Sequence, residues 1–225
     1  MKKYIAAFLA LLLCISLCAC QEEQTQPTDV LPQATDPIVT EGTRNSALDQ
    51  AKMYLSVMNY SYQGLIQQLI DVGYSEAEAI MAVDACAANW TQQAIDSANA
   101  HVLSGSFSKG AMYHQLAYEG FTEEQILTAL EGCEANWNQE AVQALQAYLQ
   151  IAPFSESAMH DQLIFEDFAE EEVTYALESA NVDWTEQAIK RAEQLKEEGT
   201  AVNLLAQTLV NEGYTQEQAD AAASA

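Results

Sequence analysis

The chain has 225 residues, with 33 Asp and Glu against eight Lys and Arg and a formal net charge of −25. A field of that sign repels phosphate backbones and anionic headgroups, which argues against nucleic acid as a partner and against membrane binding through the folded part. It favours basic protein segments.

In chain order, the first element is MKKYIAAFLALLLCISLCAC, with Lys2 and Lys3 ahead of an apolar run too short for an ordinary membrane span. Residues 1–19 read as a lipoprotein signal peptide. Its end, Leu17, Cys18, Ala19, Cys20, resembles the bacterial lipobox, with a small residue before the Cys that becomes acylated. Cys20 is the expected lipidation site, and lipid there is the expected attachment to the outer face of a bacterial cell membrane. Cleavage would leave six basic residues, Arg44, Lys52, Lys109, Lys190, Arg191 and Lys196. Residues 20–45 hold three of the four prolines and no apolar period, which predicts a disordered tether. Its average reach is about 25 to 30 Å.

From residue 46 the chain repeats at intervals of 47, which places Trp90, Trp137 and Trp184 in register. The copies are 46–92, 93–139 and 140–186, with a partial fourth over 187–225. Apolar residues recur at helical spacing, as in Leu65, Ile66, Leu69, Ile70 and in Ile126, Leu127, Leu130. The expected fold is all-α, a tandem array of three-helix repeats.

Helix starts account for the recurring letters. A helix leaves its first amides unpaired, and Ser, Thr, Asn or Asp at the N-cap accepts from them, often with an apolar residue before the cap stapled onto the fourth helical residue. Trp90, Trp137 and Trp184 precede Thr91, Asn138 and Thr185 and are expected to be such staples. Second helices are expected to start at Ser61, Ser108 and Ser155, and third helices at Ser75, Thr122 and Thr215. Gly73, Gly120 and Gly213 stand where the second helix should end in a left-handed residue. The third copy has Asp167 in place of the Gly and Ala169 in place of the cap, so its turn is expected to be the least stable.

The segment AKMYLSVMNYSYQGLIQQLIDVGYSEAEAIMAVDACAANWTQQA, residues 51–94, with the copies that follow it and the lipobox, resembles the Ltp family of bacterial lipoproteins, the host cell surface-exposed lipoproteins. The resemblance implies small helix-turn-helix-like bundles joined by longer helices. It also implies a role like that of prophage-borne members, which exclude superinfecting phage by interfering with DNA entry at the membrane; the partner would be a phage tail or injection component. The alternative class is a structural or housekeeping envelope lipoprotein with no phage role. The Gly120-Phe121 turn also resembles that of ubiquitin-associated domains, a likeness of three-helix geometry.

Few residues suggest chemistry. His101, His114 and His160 fall at different repeat positions, with no metal-ligand spacing and no phosphate loop beside them. No metal, cofactor or enzyme activity is expected. Cys86 and Cys133 occupy equivalent places; an exported protein permits a disulfide between them, but two buried thiols are the favoured expectation, because equivalent sites on neighbouring units usually stand farther apart than a bridge spans. The densest acidic run, Glu166, Asp167, Glu170, Glu171 and Glu172, reads either as a solvated helix start, where acidic residues are stabilised by the helix dipole, or as the candidate cation-binding or partner-binding patch.

Overall fold

The computed structural model describes residues 41–225, with side chains from residue 46, so the lipobox, Cys20 and most of the tether lie outside the described residues, while 41–45, expected as tether, belong to the first helix. Twelve α-helices and no strand occur among them. They form four units of three. The first contains α1 (Glu41–Val57), α2 (Tyr62–Asp71) and α3 (Glu76–Cys86), and the second α4 (Trp90–Ser104), α5 (Lys109–Tyr118) and α6 (Glu123–Gly132). The third contains α7 (Trp137–Ile151), α8 (Glu156–Phe165) and α9 (Glu170–Ser179). The fourth contains α10 (Trp184–Glu197), α11 (Leu205–Asn211), preceded by the 3-10 turn Val202–Leu204, and α12 (Gln216–Ser224). The shortened fourth copy also contains three helices, its turn residue Gly213 and cap Thr215 following Asp167 and Ala169 by 46 rather than 47 residues.

Each unit has its own core. The long first helix and the third helix meet through alanines, as in Ala47 and Ala51 against Ala79 and Ala82, or Ala188 and Ala192 against Ala219 and Ala222. Small side chains let the two helices approach closely. The second helix then fills the remaining space with two large buried residues per unit: Leu65 and Leu69, Met112 and Leu116, Met159 and Leu163, Leu205 and Leu209. Removing one of these leaves a cavity that neighbours on three helices cannot close.

The caps of the second and third helices lie at the expected residues. Ser61, Ser108 and Ser155 accept from the amides of Gly64, Ala111 and Ala158. Ser75, Thr122 and Thr215 form reciprocal capping boxes with Glu78, Gln125 and Gln218. At Ala169 the side-chain cap is missing, yet the Glu172 carboxylate still accepts from the Ala169 amide at 2.9 Å, keeping half of the box.

The first-helix caps differ from the sequence expectation. Asn89, Asn136 and Asp183 are the N-caps, accepting from Gln92, Gln139 and Glu186, so Trp90, Trp137 and Trp184 are first helical residues and not staples. The reason lies in packing. Each Trp opens the helix of one unit while its ring lies on the core of the unit before it, Trp90 on the first, Trp137 on the second and Trp184 on the third. Trp90 meets Tyr62 edge-on at 5.5 Å between ring centres.

Gly73, Gly120 and Gly213 end α2, α5 and α11 with φ of 105°, 86° and 91°. Asp167 takes the same place after α8 with φ of 61°, and its turn keeps the same backbone bonds, Asp167 N to Ile164 O and Phe168 N to Leu163 O. Asp is among the few residues that enter the left-handed region readily. Cys86 and Cys133 are free and half-buried rather than buried. Burial, opposed by Lys52, raises the Cys86 thiol above its ordinary pKa.

Candidate functional site

The units meet through one recurring joint. The hydroxyl that caps the second helix of one unit also donates to the backbone carbonyl that follows the second helix of the next: Ser61 to Glu119, Ser108 to Glu166 and Ser155 to Glu212, at 2.5, 2.5 and 2.7 Å. All three serines are 1% exposed. The position needs a group that accepts from an amide and donates to a carbonyl at once, which Asp cannot do when ionised. The fourth unit has no successor among the described residues, and its second helix starts at Leu204 without a side-chain cap.

The left-handed residue of the next unit sits against the same serine. A Cβ on Gly120 would stand 3.0 Å from Ser61 Oγ and 3.3 Å from Gln63 Cβ; one on Gly213 would stand 2.8 Å from Ser155 Oγ and 3.3 Å from Ser157 Cβ. At the middle joint the roles are reversed. Gly110 replaces Gln63 and Ser157, and a Cβ there would lie 2.5 Å from Asp167 Cβ. At this pair of facing positions each joint has one glycine, on one side or the other; the first joint has Gly64 besides, where a Cβ would stand 3.2 Å from the Glu119 carbonyl oxygen. Gly73, with no described unit before it, has nothing near its Cβ direction.

A second tie joins the units. The Tyr60 amide donates to Gln93 Oε1 at 3.1 Å, and the Phe107 amide bonds to Glu140, the equivalent residue one repeat on. Glu140 is 4% exposed, and burial raises its pKa while the Phe107 amide opposes the shift.

The Glu side chain at each joint has a different environment. Glu119 accepts from Ser97 at 2.7 Å, His101 at 2.5 Å and Gln115 at 2.8 Å. Burial acts to raise its pKa, but these hydrogen bonds and the His101 charge outweigh it and hold the carboxyl below its usual range. Ser97 and His101 both face the carboxylate rather than each other, so they are not aligned as nucleophile and base. Glu212 takes the fork of Arg191, with both bonds at 2.8 Å. Glu166 has the Gln162 amide at 3.1 Å and, where Arg191 stands one repeat later, Ala144. With no cation to offset burial, its pKa is pushed up to about 7.

The acidic run is thus divided among tasks. Glu166 belongs to the joint, and Asp167 is the left-handed turn residue, its carboxylate 3.8 Å from His114. Glu170 meets His160 at 2.9 Å, and Glu172 closes the half capping box. Glu171 is exposed. His160, facing Glu170 and Asp161, has its pKa raised chiefly by the Glu170 hydrogen bond.

Exposed apolar side chains gather at the joints. Tyr118 and Phe165, one repeat apart, are 89% and 60% exposed beside Glu119 and Glu166. The first joint opens into a groove of about 810 Å³ lined by Val57, Met58, Tyr60, Asp71, Tyr118 and Glu119, among others. The sequence reading missed this surface. Its signal was the equivalence of Tyr118 and Phe165 at a helix end, outside the core pattern.

Tandem three-helix units, each with its own core and tied by buried serines, define a helical-repeat protein with an extended, predominantly acidic surface. No helix among the described residues is long and apolar enough to cross a membrane. The family model of host cell surface-exposed lipoproteins, Ltp, matches residues 43–85, 89–130 and 136–179, more than half of the chain, and the protein belongs to that family. The three matches coincide with the first three units. Comparison with curated proteins and with solved structures gave no match.

Proposed function

We propose that the protein is a binding protein, tethered to the outer face of a bacterial membrane by lipid on Cys20, that engages a basic segment of another protein. The observation that carries this is the charge: 33 acidic against eight basic residues. Part of the small cationic complement is used internally, Arg191 by Glu212 and Glu198 and Lys190 by Glu186. A surface of this kind speeds encounter with a basic partner and repels anionic ones. The resemblance to prophage-borne members supports a phage tail or injection component as that partner, with block of DNA entry as the outcome.

Membrane fractionation of the wild type and of Cys20→Ala tests the anchor: the variant should leave the membrane fraction, and equal retention would exclude lipidation at Cys20. Phage challenge tests the outcome. Cells expressing the wild type should adsorb phage but fail to take up its DNA, and Cys20→Ala should restore uptake. Normal uptake in the presence of the wild type would leave the housekeeping envelope role as the better reading.

A further inference from the structure

We propose that the groove between the first and second units is a docking site for a partner segment in which a basic side chain stands next to a large apolar one. The inference rests on the reading of a binding protein for basic segments and says where on the array such a segment is held. Three strongly exposed apolar residues border this one groove: Val57 at 68%, Met58 at 59% and Tyr118 at 89%. Val57 and Met58 come from the end of α1 and the residue after it, and Tyr118 from the end of α5, so they belong to different units. The later joints lack this two-sided arrangement. Ser104 and Gly105 replace Val57 and Met58 at the second joint, while Asn211 replaces Tyr118 at the third.

The charge in the groove selects the occupant. Asp71 and Glu119 are its carboxylates, and its lining contains no Lys or Arg. His101, the one lining residue able to carry positive charge, has Nε2 bound to Glu119. Three hydrogen bonds hold Glu119 ionised at neutral pH, and with Asp71 it gives the groove carboxylates and no lysine or arginine to oppose an incoming ammonium or guanidinium. The Tyr60 and Tyr118 rings add aromatic faces that attract such a cation. Val57, Met58 and the Tyr118 ring gain by losing contact with water, at about 25 cal/mol per Å² covered. The volume suits a few side chains rather than a whole helix. A second copy of this chain is the rival occupant, and two chains of net charge −25 repel one another.

The test uses the full chain in detergent and two fluorescein-labelled peptides of equal charge, one containing Arg-Leu-Arg-Phe-Arg and the other Arg-Gly-Arg-Gly-Arg. The first should bind the wild type about tenfold more tightly by anisotropy, a preference lost in the double variant Met58→Ser, Tyr118→Ser. Both residues are exposed, and unchanged helical circular dichroism checks that the double variant folds. The triple variant Glu170→Gln, Glu171→Gln, Glu172→Gln should weaken both peptides alike and keep the preference. Retained preference in the double variant overturns the groove, as does its loss in the triple variant. Salt-dependent binding of both peptides with no preference overturns the groove alone and leaves the basic-partner reading standing; absence of binding to either peptide at low salt overturns both. Dimeric wild type with a monomeric double variant in sedimentation would assign the groove to a second copy and overturn the proposal.

Discussion

The first and second joints have the same backbone, the same buried serine and the same carbonyl bond, yet they solve two local problems in opposite ways. At the first, the glycine is the left-handed residue, Gly120, and the facing residue is Gln63; at the second, the left-handed residue is Asp167 and the glycine faces it as Gly110. At the first, Glu119 has three donors including His101; at the second, Glu166 has Gln162. The joint therefore requires a space and a bond, not a particular residue on a particular side. That freedom leaves the two joints with the same geometry and different responses to substitution and pH.

The largest expected effect tests the exchanged glycine. Gly110→Ala places a Cβ 2.5 Å from Asp167 Cβ, and forced overpacking of this kind should destabilise the middle joint by about 3 kcal/mol. Asp167→Gly in the same chain should restore most of that loss, because it recreates the arrangement of the first joint. Hydrogen exchange at the α5 and α8 amides reads the joint locally. Additive losses in the double variant would mean that the two positions do not compensate.

Ser108→Ala comes next, at about 2 kcal/mol, since it removes a cap and leaves the Glu166 carbonyl without its donor. The same substitution at Ser61 should cost as much by urea denaturation. A loss at Ser108 well below that at Ser61 would show that the middle joint does not depend on this bond.

The carboxylates should separate the joints by pH. Glu166 has its pKa raised from 4.5 to about 7, so the folded state binds the extra proton between those values and stability from this group is present at low pH and lost as pH rises through 7. Glu119 is shifted the other way, so its contribution is present above its ordinary pKa and lost as pH falls through the lowered folded value. Glu166→Gln, which resembles the protonated form, should stabilise at pH 8, by about 1 to 2 kcal/mol once solvent screening of this partly exposed group is allowed for, and change little at pH 4.5. Glu119→Gln should destabilise at pH 8. The same sign for both variants at pH 8 would remove the distinction.

The smallest effect restores what the third unit lacks. Ala169→Ser completes the capping box with Glu172 and should stabilise α9 by about 1 kcal/mol in thermal or urea melts. No gain would mean that the Glu172 bond already satisfies the helix start.

The period, the all-helical class and the caps at Ser61, Ser75, Ser108, Thr122, Ser155 and Thr215 are set by residues within a few positions of one another, and the sequence alone determined them. The helix-end glycines were legible for the same reason, since the left-handed turn is a local backbone need. The Trp positions were legible as a repeat but not as a register, because Asn89 and Thr91 both satisfy the cap pattern on either side of Trp90 and only packing on the preceding core chooses between them. The acidic run read as one patch because sequence records charge without partners. Its members separate only when the chain brings His160 to Glu170 and Ser108 to the Glu166 carbonyl. The joint itself, with a hydroxyl serving residues 57 or 58 positions away and a glycine free to change sides, was decided by tertiary structure. A buried polar group needs its partners wherever the fold supplies them, and no local pattern specifies which distant carbonyl that will be.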